Sequence, residues 1–221
     1  MPQVTFAEVK NNEAVRTYIR RADEALTTMG YTEHAFAHVT KCAEGAYEIL
    51  NTLGYEPRLC ELARIAGFMH DIGNVINRQD HAQSGAIMAF RILDQMGMSA
   101  DEVALVIAAI GNHDEGTAVP VSPIAAALIL ADKCDVRRSR VRNRDATTFD
   151  IHDRVNYAVE AADLSFSDGK EALILDITID PEICPVMNYF EIFLNRMLLC
   201  RRAADFLGLK FKLVVNGLDM L

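Results

Sequence analysis

Apolar residues recur at helical spacing through the first 160 or so residues, and the recurrences are bounded by capping residues and glycines. Asn12 can cap a helix that ends near Gly30. Thr32 precedes a second, in which Phe36, Val39, Ala43, Leu50 and Leu53 form one stripe and Gly54 supplies the stop. A third helix is expected from about Arg58 to His70, with Gly73 following, and a fourth from about His81 to Met96, with Gly97 as the C′ residue. Ser99 and Glu102 form a capping box that opens a fifth, Ala100 to about Gly111. Ser122-Pro123 starts a sixth through Ile124 to Asp132.

After Asp150 the period changes. Leu173, Leu175, Ile177 and Ile179 occupy alternate positions, as in a strand, and Lys210 to Asn216 is a second strand candidate. Between them a helix from about Val186 to Leu207 carries Phe190, Phe193, Met197, Cys200 and Ala204 on one face. The expected architecture is mainly α: a helical body over residues 1–160 and a small C-terminal β-α-β appendage, 161–221, packed on it. About 50 residues bury too little core to stand alone. The apolar face of the tail helix leaves two roles open, a homodimer contact or packing on the body.

Composition narrows the function classes. The chain has 221 residues, 51% of them hydrophobic and 24% charged, as in a globular protein with a real core. Its formal net charge of −9 offers no bulk attraction to nucleic acid or anionic lipid. The longest apolar run, Ile124 to Ala131, is eight residues, far below the roughly 18 that cross a bilayer. The N-terminus lacks the apolar core of a signal peptide. Five widely spaced cysteines form no C-x-x-C pair, which fits a reducing cytoplasm rather than a disulfide framework or thiolate zinc site.

The candidate chemistry lies in an ordered set: His38, His70-Asp71, His81, His113 and Asp132. His38 continues an inward helical stripe through Cys42, Ala46, Ile49 and Leu53; His34 shares that face but lacks the same backing. Asp132 lies in an apolar helix, where a buried carboxylate needs a partner and a metal ion would be one. Neutral imidazole with carboxylate suits divalent Fe, Mn, Zn or Co, and a carboxylate can bridge two ions about 3.5–4 Å apart. No nucleophile elbow, phosphate loop or dinucleotide fingerprint competes with this set.

Over roughly Tyr31 to Arg144 the chain resembles the HD-domain metal-dependent phosphohydrolases, whose signature is H…HD…D. His38 matches the first histidine, GFMHDIG (Gly67 to Gly73) the doublet, and ILADKCD (Ile129 to Asp135) the last aspartate, Asp132. The HAQSGA segment at His81 and GNHDEG around His113 resemble the subset with a dinuclear centre, with symmetrical diadenosine-tetraphosphate hydrolases and ribonuclease Y-type domains the nearest branches. The resemblance implies an HD-type helical bundle. It implies that His38, His70, Asp71 and Asp132 hold one divalent ion (Fe, Mn, Zn, Co or Mg) and His81 and His113 a second. Asp71 would bridge the two and act as the catalytic carboxylate that orients a bridging hydroxide. His152-Asp153 is a second His-Asp pair without the rest of the pattern, and reads as structural.

Two features depart from or extend this pattern. Asn74 stands where many family members have lysine, with Arg78 four residues on as a substitute. Directly after Asp132, Lys133, Arg137, Arg138, Arg140, Arg142 and Arg144 face Asp135 alone, a local charge of +5. Lys133, Arg137 and Arg138 are the candidates for holding non-reacting phosphates. The reading is a cytoplasmic phosphohydrolase of a small, nucleotide-like phosphoester or phosphoanhydride, with Asp114 and His34 as candidate leaving-group acids. The alternatives are a nucleotide-sensing scaffold without turnover and an RNA or cyclic-dinucleotide phosphodiesterase.

Overall fold

The computed structural model describes residues 3–143 and 145–220. Arg144 of the basic run lies outside them. Helices α1 (Phe6–Asn11), α2 (Glu13–Thr28), α3 (Phe36–Thr52), α4 (Pro57–Met69), α5 (His81–Gln95), α6 (Ala100–Gly111) and α7 (Pro123–Lys133) build the body, with a 3₁₀ turn at Ile72–Val75 between α4 and α5. Then come α8 (Ile151–Ala158), β1 (Val159–Phe166), β2 (Ala172–Ile179), α9 (Val186–Phe206), β3 (Lys210–Val215) and β4 (Leu218–Asp219). The mainly helical fold with a small C-terminal sheet is the one expected.

Local chemistry starts the helices where the sequence indicates. Asn12 accepts from the amides of Ala14 and Val15 at the head of α2, and Ser122 from Ala125 at the head of α7. Ser99 likewise accepts from the Glu102 amide, but the reciprocal half of that box does not form. The Glu102 carboxylate instead grips Arg58 through two bonds of 2.7 Å and ties α6 to α4. Thr32 does not cap α3, whose N-cap is Ala35 without a side-chain bond. The short α1, absent from the sequence reading, is opened by a complete Thr5/Glu8 capping box.

Helix α7 is the axis. Every residue from Ile124 to Lys133 is buried, because α3, α4, α6 and α9 all pack around it. An all-round apolar helix can sit only at the centre. That placement carries Asp132 and Lys133, at its last turn, into the interior.

Two glycines let the body close. A Cβ on Gly67 would lie 2.8 Å from the Ala43 Cα and the Cys42 carbonyl oxygen, so α4 meets α3 backbone to backbone. A Cβ on Gly73 would lie 2.0 Å from the His81 carbonyl oxygen and 2.5 Å from the Gly85 nitrogen. The HDIG turn therefore sits directly against the start of α5.

The C-terminal sheet has the order β1-β2-β3-β4, with β2 and β3 parallel and joined through α9, and β1 and β4 antiparallel on the outside. Leu173, Leu175, Ile177 and Ile179 face the core, as their alternation requires. Strand β1, absent from the sequence reading, buries only Val159 fully, while alternate residues Ala162, Leu164 and Phe166 are half-buried against the core. The apolar face of α9, including Tyr189, Phe193, Met197 and Cys200, enters the same core as α7, so it is covered by the chain itself. All five cysteines are free and buried. No helix among the described residues is long and apolar enough to cross a membrane.

Replacing Gly73 by alanine forces backbone against backbone and should cost about 3 kcal/mol. Gly111→Ala, whose Cβ would meet only the Ala86 Cβ at 3.7 Å, should be neutral or stabilising by about 0.5 kcal/mol. Urea denaturation of both variants checks the contrast; equal effects would refute the close-approach argument.

Candidate metal centre

The six residues of the ordered set come from five places in the body. His38 lies in the first turn of α3. His70 caps the end of α4, and Asp71 follows at the entrance to the 3₁₀ turn with φ −95° and ψ 0°. His81 is the first residue of α5, aimed by Asp80, which holds the left-handed conformation at φ 56° that aspartate tolerates better than most residues. His113 follows the end of α6, and Asp132 sits in the last turn of α7. All six are buried, the most open being Asp132 at 8%.

Each imidazole is oriented from behind. Nδ1 of His70, His81 and His113 lies 2.8, 3.0 and 2.6 Å from the carbonyl oxygens of Gly67, Arg78 and Ile110. Nδ1 of His38 lies 2.8 Å from the Asp135 carboxylate. A carbonyl or carboxylate oxygen only accepts, so Nδ1 carries the proton in every ring and Nε2 presents its lone pair.

All four Nε2 atoms point at the two carboxylates. Oδ2 of Asp71 lies 3.6 Å from His38 Nε2 and 3.3 Å from His70 Nε2, while its Oδ1 lies 3.5 Å from His81 Nε2 and 4.0 Å from His113 Nε2. Oδ1 of Asp132 lies 3.3 Å from His38 Nε2 and 3.8 Å from His70 Nε2. Asp71 thus divides the group, one oxygen toward each side. Nε2 of His81 and His113 stand 3.2 Å apart. His70 Nε2 and Asp71 Oδ2 are buried and make no hydrogen bond. Two sets of donor atoms, from His38, Cys42, His70 and Asp132 and from His70, Asp71 and His113, lie close enough to hold a metal ion. Burial pushes the Cys42 thiol well above its usual range, reinforced by Asp132, so it stands as a neutral neighbour of His38.

Titration follows the crowding. Burial holds His113 well below the ordinary imidazole value, helped by His70, and lowers His81 as well. At Asp71 burial opposes ionisation, but the electrostatic pull of the neighbouring imidazoles, His70 foremost, outweighs it and keeps the carboxyl well below the usual range. At Asp132 the same opposition is overcome by Lys133. Burial works against a proton on His70, yet Asp71 and Asp132 pull its pKa up.

Two supporting roles escaped the sequence reading. Asn74 Nδ2 donates to the Asp71 carbonyl and to Oδ1 at 3.0 and 2.9 Å, and so fixes the carboxylate's rotation. Its sequence signal was its place three residues after Asp71, in the same tight turn. Asp135 is fully buried, bonded to His38 on one side and to Lys41 Nζ (3.0 Å) and Arg137 Nε (2.8 Å) on the other. It stands three residues after Asp132, where it counts in composition only as the exception in a basic run.

The basic run is paired with acceptors of the chain itself. Lys133 is buried and pairs with Asp132 Oδ2 at 2.7 Å, so it touches the cluster as a counter-charge. Arg137 is held by Asp135 and Glu33, and Arg138 by the Tyr157 carbonyl and the face of its ring. Both guanidinium groups are held away from the six residues, Arg137 by Asp135 within the run and by Glu33, Arg138 by the Tyr157 carbonyl. His34 is turned to the Thr32 carbonyl, 2.6 Å from its Nδ1, with its ring 5.5 Å from that of His38. Asp114 approaches His81 Nε2 at 3.9 Å and is one-third exposed. His152 lies outside the cluster, on the wall of a neighbouring cavity.

The HD-domain family model matches residues 35–137, a span that includes all six residues and Asp135. An uncharacterized protein of Methanocaldococcus jannaschii is 24% identical over 193 residues, 77% of this chain and 74% of its own. A crystal structure of a predicted HD superfamily hydrolase from an uncultured Thermotogales bacterium is 27% identical, with a TM-score of 0.45 over 56% of this chain and 67% of that one.

Nitrogen-15 imidazole spectra of chelator-treated protein should show His81 and His113 as neutral Nδ1–H tautomers at pH 7. Their pKa values are lowered, so both should stay neutral as the pH falls through 6.5, where a free imidazole becomes half protonated. Protonation of either ring above pH 6.5 would contradict the geometry.

Proposed function

We propose that this protein is a divalent-metal-dependent phosphohydrolase of the HD type, acting on a phosphoester or phosphoanhydride of a small nucleotide-like substrate. One observation carries the reading: four imidazole lone pairs and two carboxylates face one another, with His70 Nε2 and Asp71 Oδ2 orphaned among them. Buried acceptors without donors are costly unless a cation joins them. The nitrogen and oxygen donors fit a borderline divalent ion.

His38, His70, Asp71 and Asp132 would hold one ion; His81, His113 and the other oxygen of Asp71 would hold a second. When bound, such ions supply Lewis acidity toward phosphoryl oxygens and a water of lowered pKa. The rest of the chemistry belongs to the chain. Asp135 and the three carbonyls keep every Nε2 unprotonated, and ligands held from behind in this way bind more tightly. Asn74 holds Asp71 so that each oxygen serves one side. Lys133 neutralises the far oxygen of Asp132 and adds a positive charge beside the site, where phosphate charge accumulates. Asp114, partly exposed beside His81, is the carboxyl best placed to hand a proton to the leaving group.

The matched HD span, the phosphate-suited chemistry of the donors and the absence of a nucleophilic serine or cysteine motif support this reading together. Elemental analysis of purified protein, paired with a phosphate-release screen over mononucleotides, dinucleoside polyphosphates and cyclic dinucleotides, tests it. Bound divalent metal and turnover of at least one class are expected. Asp71→Ala should lose both; retention of both would end the proposal.

Asp135→Asn probes the positioning. Lys41 and Arg137 should keep the amide oxygen on their side, so the NH₂ would face His38 Nδ1 and reverse the ring's tautomer. Metal affinity should fall about 10- to 100-fold while the circular dichroism spectrum stays unchanged. An unchanged affinity would show that Asp135 does not orient His38.

A further inference from the structure

A cavity of about 410 Å³ opens beside the cluster. Three contacts join the two. Arg78 lines the cavity and its Nη1 lies 3.4 Å from His81 Nε2. His34 lines it next to the His38 ring. Arg196 lines it from α9 and shares Glu115 with Lys133, the partner of Asp132.

Arg78, Arg140 and Arg196 are each anchored by one edge. Arg78 Nη1 donates to Asn74 Oδ1 at 3.2 Å, with the guanidinium over the Tyr31 ring. Arg140 is 5% exposed and donates through Nε to the Glu33 carbonyl and through Nη1 to the Asp135 carbonyl. Arg196 donates through Nε to Glu115 at 2.7 Å and lies over the Phe193 ring at 4.3 Å. Among the described residues nothing accepts from Nη2 of Arg78 or Arg140, or from either terminal nitrogen of Arg196. Two carboxylates, Asp150 and Asp153, share the wall and keep their charge, their hydrogen bonds being to the neutral Asp153 amide and Asn143 side chain. Three guanidinium forks, one of them nearly fully buried, are thus fixed around one space with donors to offer.

We propose that this cavity binds a second phosphate of the substrate, which makes the scissile bond a phosphoanhydride rather than a simple phosphomonoester. The proposal rests on the phosphohydrolase reading of the neighbouring cluster. Guanidinium matches phosphate in fork geometry, and the free terminal nitrogens of three forks face one space beside the cluster, whose wall carries one more arginine than carboxylates. Hydrolysis then adds water across a P–O–P bridge. A P–O bond forms to the water oxygen, the bond from that phosphorus to the bridging oxygen breaks, and the bridging oxygen leaves with the phosphate held by the arginines. The two protons of the water pass to the phosphate products or to solvent. Arg140 and Arg196 lie outside the matched span 35–137, so this selectivity would come from the chain's own flanking segments.

Calorimetric titration of chelator-treated protein with inorganic tripolyphosphate and, separately, inorganic phosphate tests the site without any metal. Tripolyphosphate should bind at least 10-fold more tightly than phosphate, and Arg196→Gln should weaken it about 10-fold. Arg91→Gln, an exposed charge control on α5, should leave binding unchanged. Arg196 is anchored mainly by one acid, so its variant should fold, which the circular dichroism spectrum checks. Equal affinity for the two probes, or full affinity in Arg196→Gln, overturns the proposal. Metal-loaded protein should also release phosphate from tripolyphosphate faster than from p-nitrophenyl phosphate; the reverse preference overturns the phosphoanhydride assignment. Intact tripolyphosphate binding with no phosphate release from any substrate would instead sink the hydrolase reading and leave the anion site standing.

Discussion

Four imidazole nitrogens and two carboxylates are held against one another in the interior, and their mutual repulsion makes the arrangement unfavourable until positive charge enters it. The fold does not relieve that repulsion by rotating the rings away. It does the opposite: one carboxylate and three backbone carbonyls pin the far nitrogen of every ring, so that the lone pairs have nowhere else to point. The ammonium of Lys133 pressed on Asp132 is a partial compensation of that deficit.

Bringing these groups together requires backbones closer than side chains normally allow. Gly67 seats α4 on α3, which sets His70 beside His38, and Gly73 seats the following turn on α5, which sets Asp71 beside His81. The buried α7 completes the cluster from the centre. Packing and site are therefore one problem here: the residues that shorten the distances between helices are the ones that converge the ligands.

Much of this was legible in the chain. Helix starts at Asn12, Ser99 and Ser122 rest on local bonds that involve only neighbouring residues, and local rules find them. The order His38, His70-Asp71, His81, His113, Asp132 was visible because ligand identity is written in residue type. What stayed hidden depends on partners far away in sequence. Glu102 looked like half of a capping box until Arg58 claimed it. Asp135 looked like a stray acid until α3 brought His38 to it, 97 residues away. The acceptors of Arg137 and Arg138 include Glu33 and the Tyr157 carbonyl, distant in sequence, which charge counting cannot see. Strand β1 was missed although Ala162, Leu164 and Phe166 alternate with exposed Ala161, Asp163 and Ser165, because its inward face is only half-buried and carries few strong strand formers.

From Asp132 an alternating line of charge runs outward through Lys133 and Glu115 to Arg196 on α9. Its members share one another, so none can change partner alone. An anion that drew Arg196 away from Glu115 would free that acid to take more of Lys133, and Lys133 would loosen its grip on Asp132. By reciprocity, whatever tightened the hold on Asp132 from inside would alter how readily Arg196 greets an anion outside. The interior and the rim of this protein are thus joined by one line of four charged side chains.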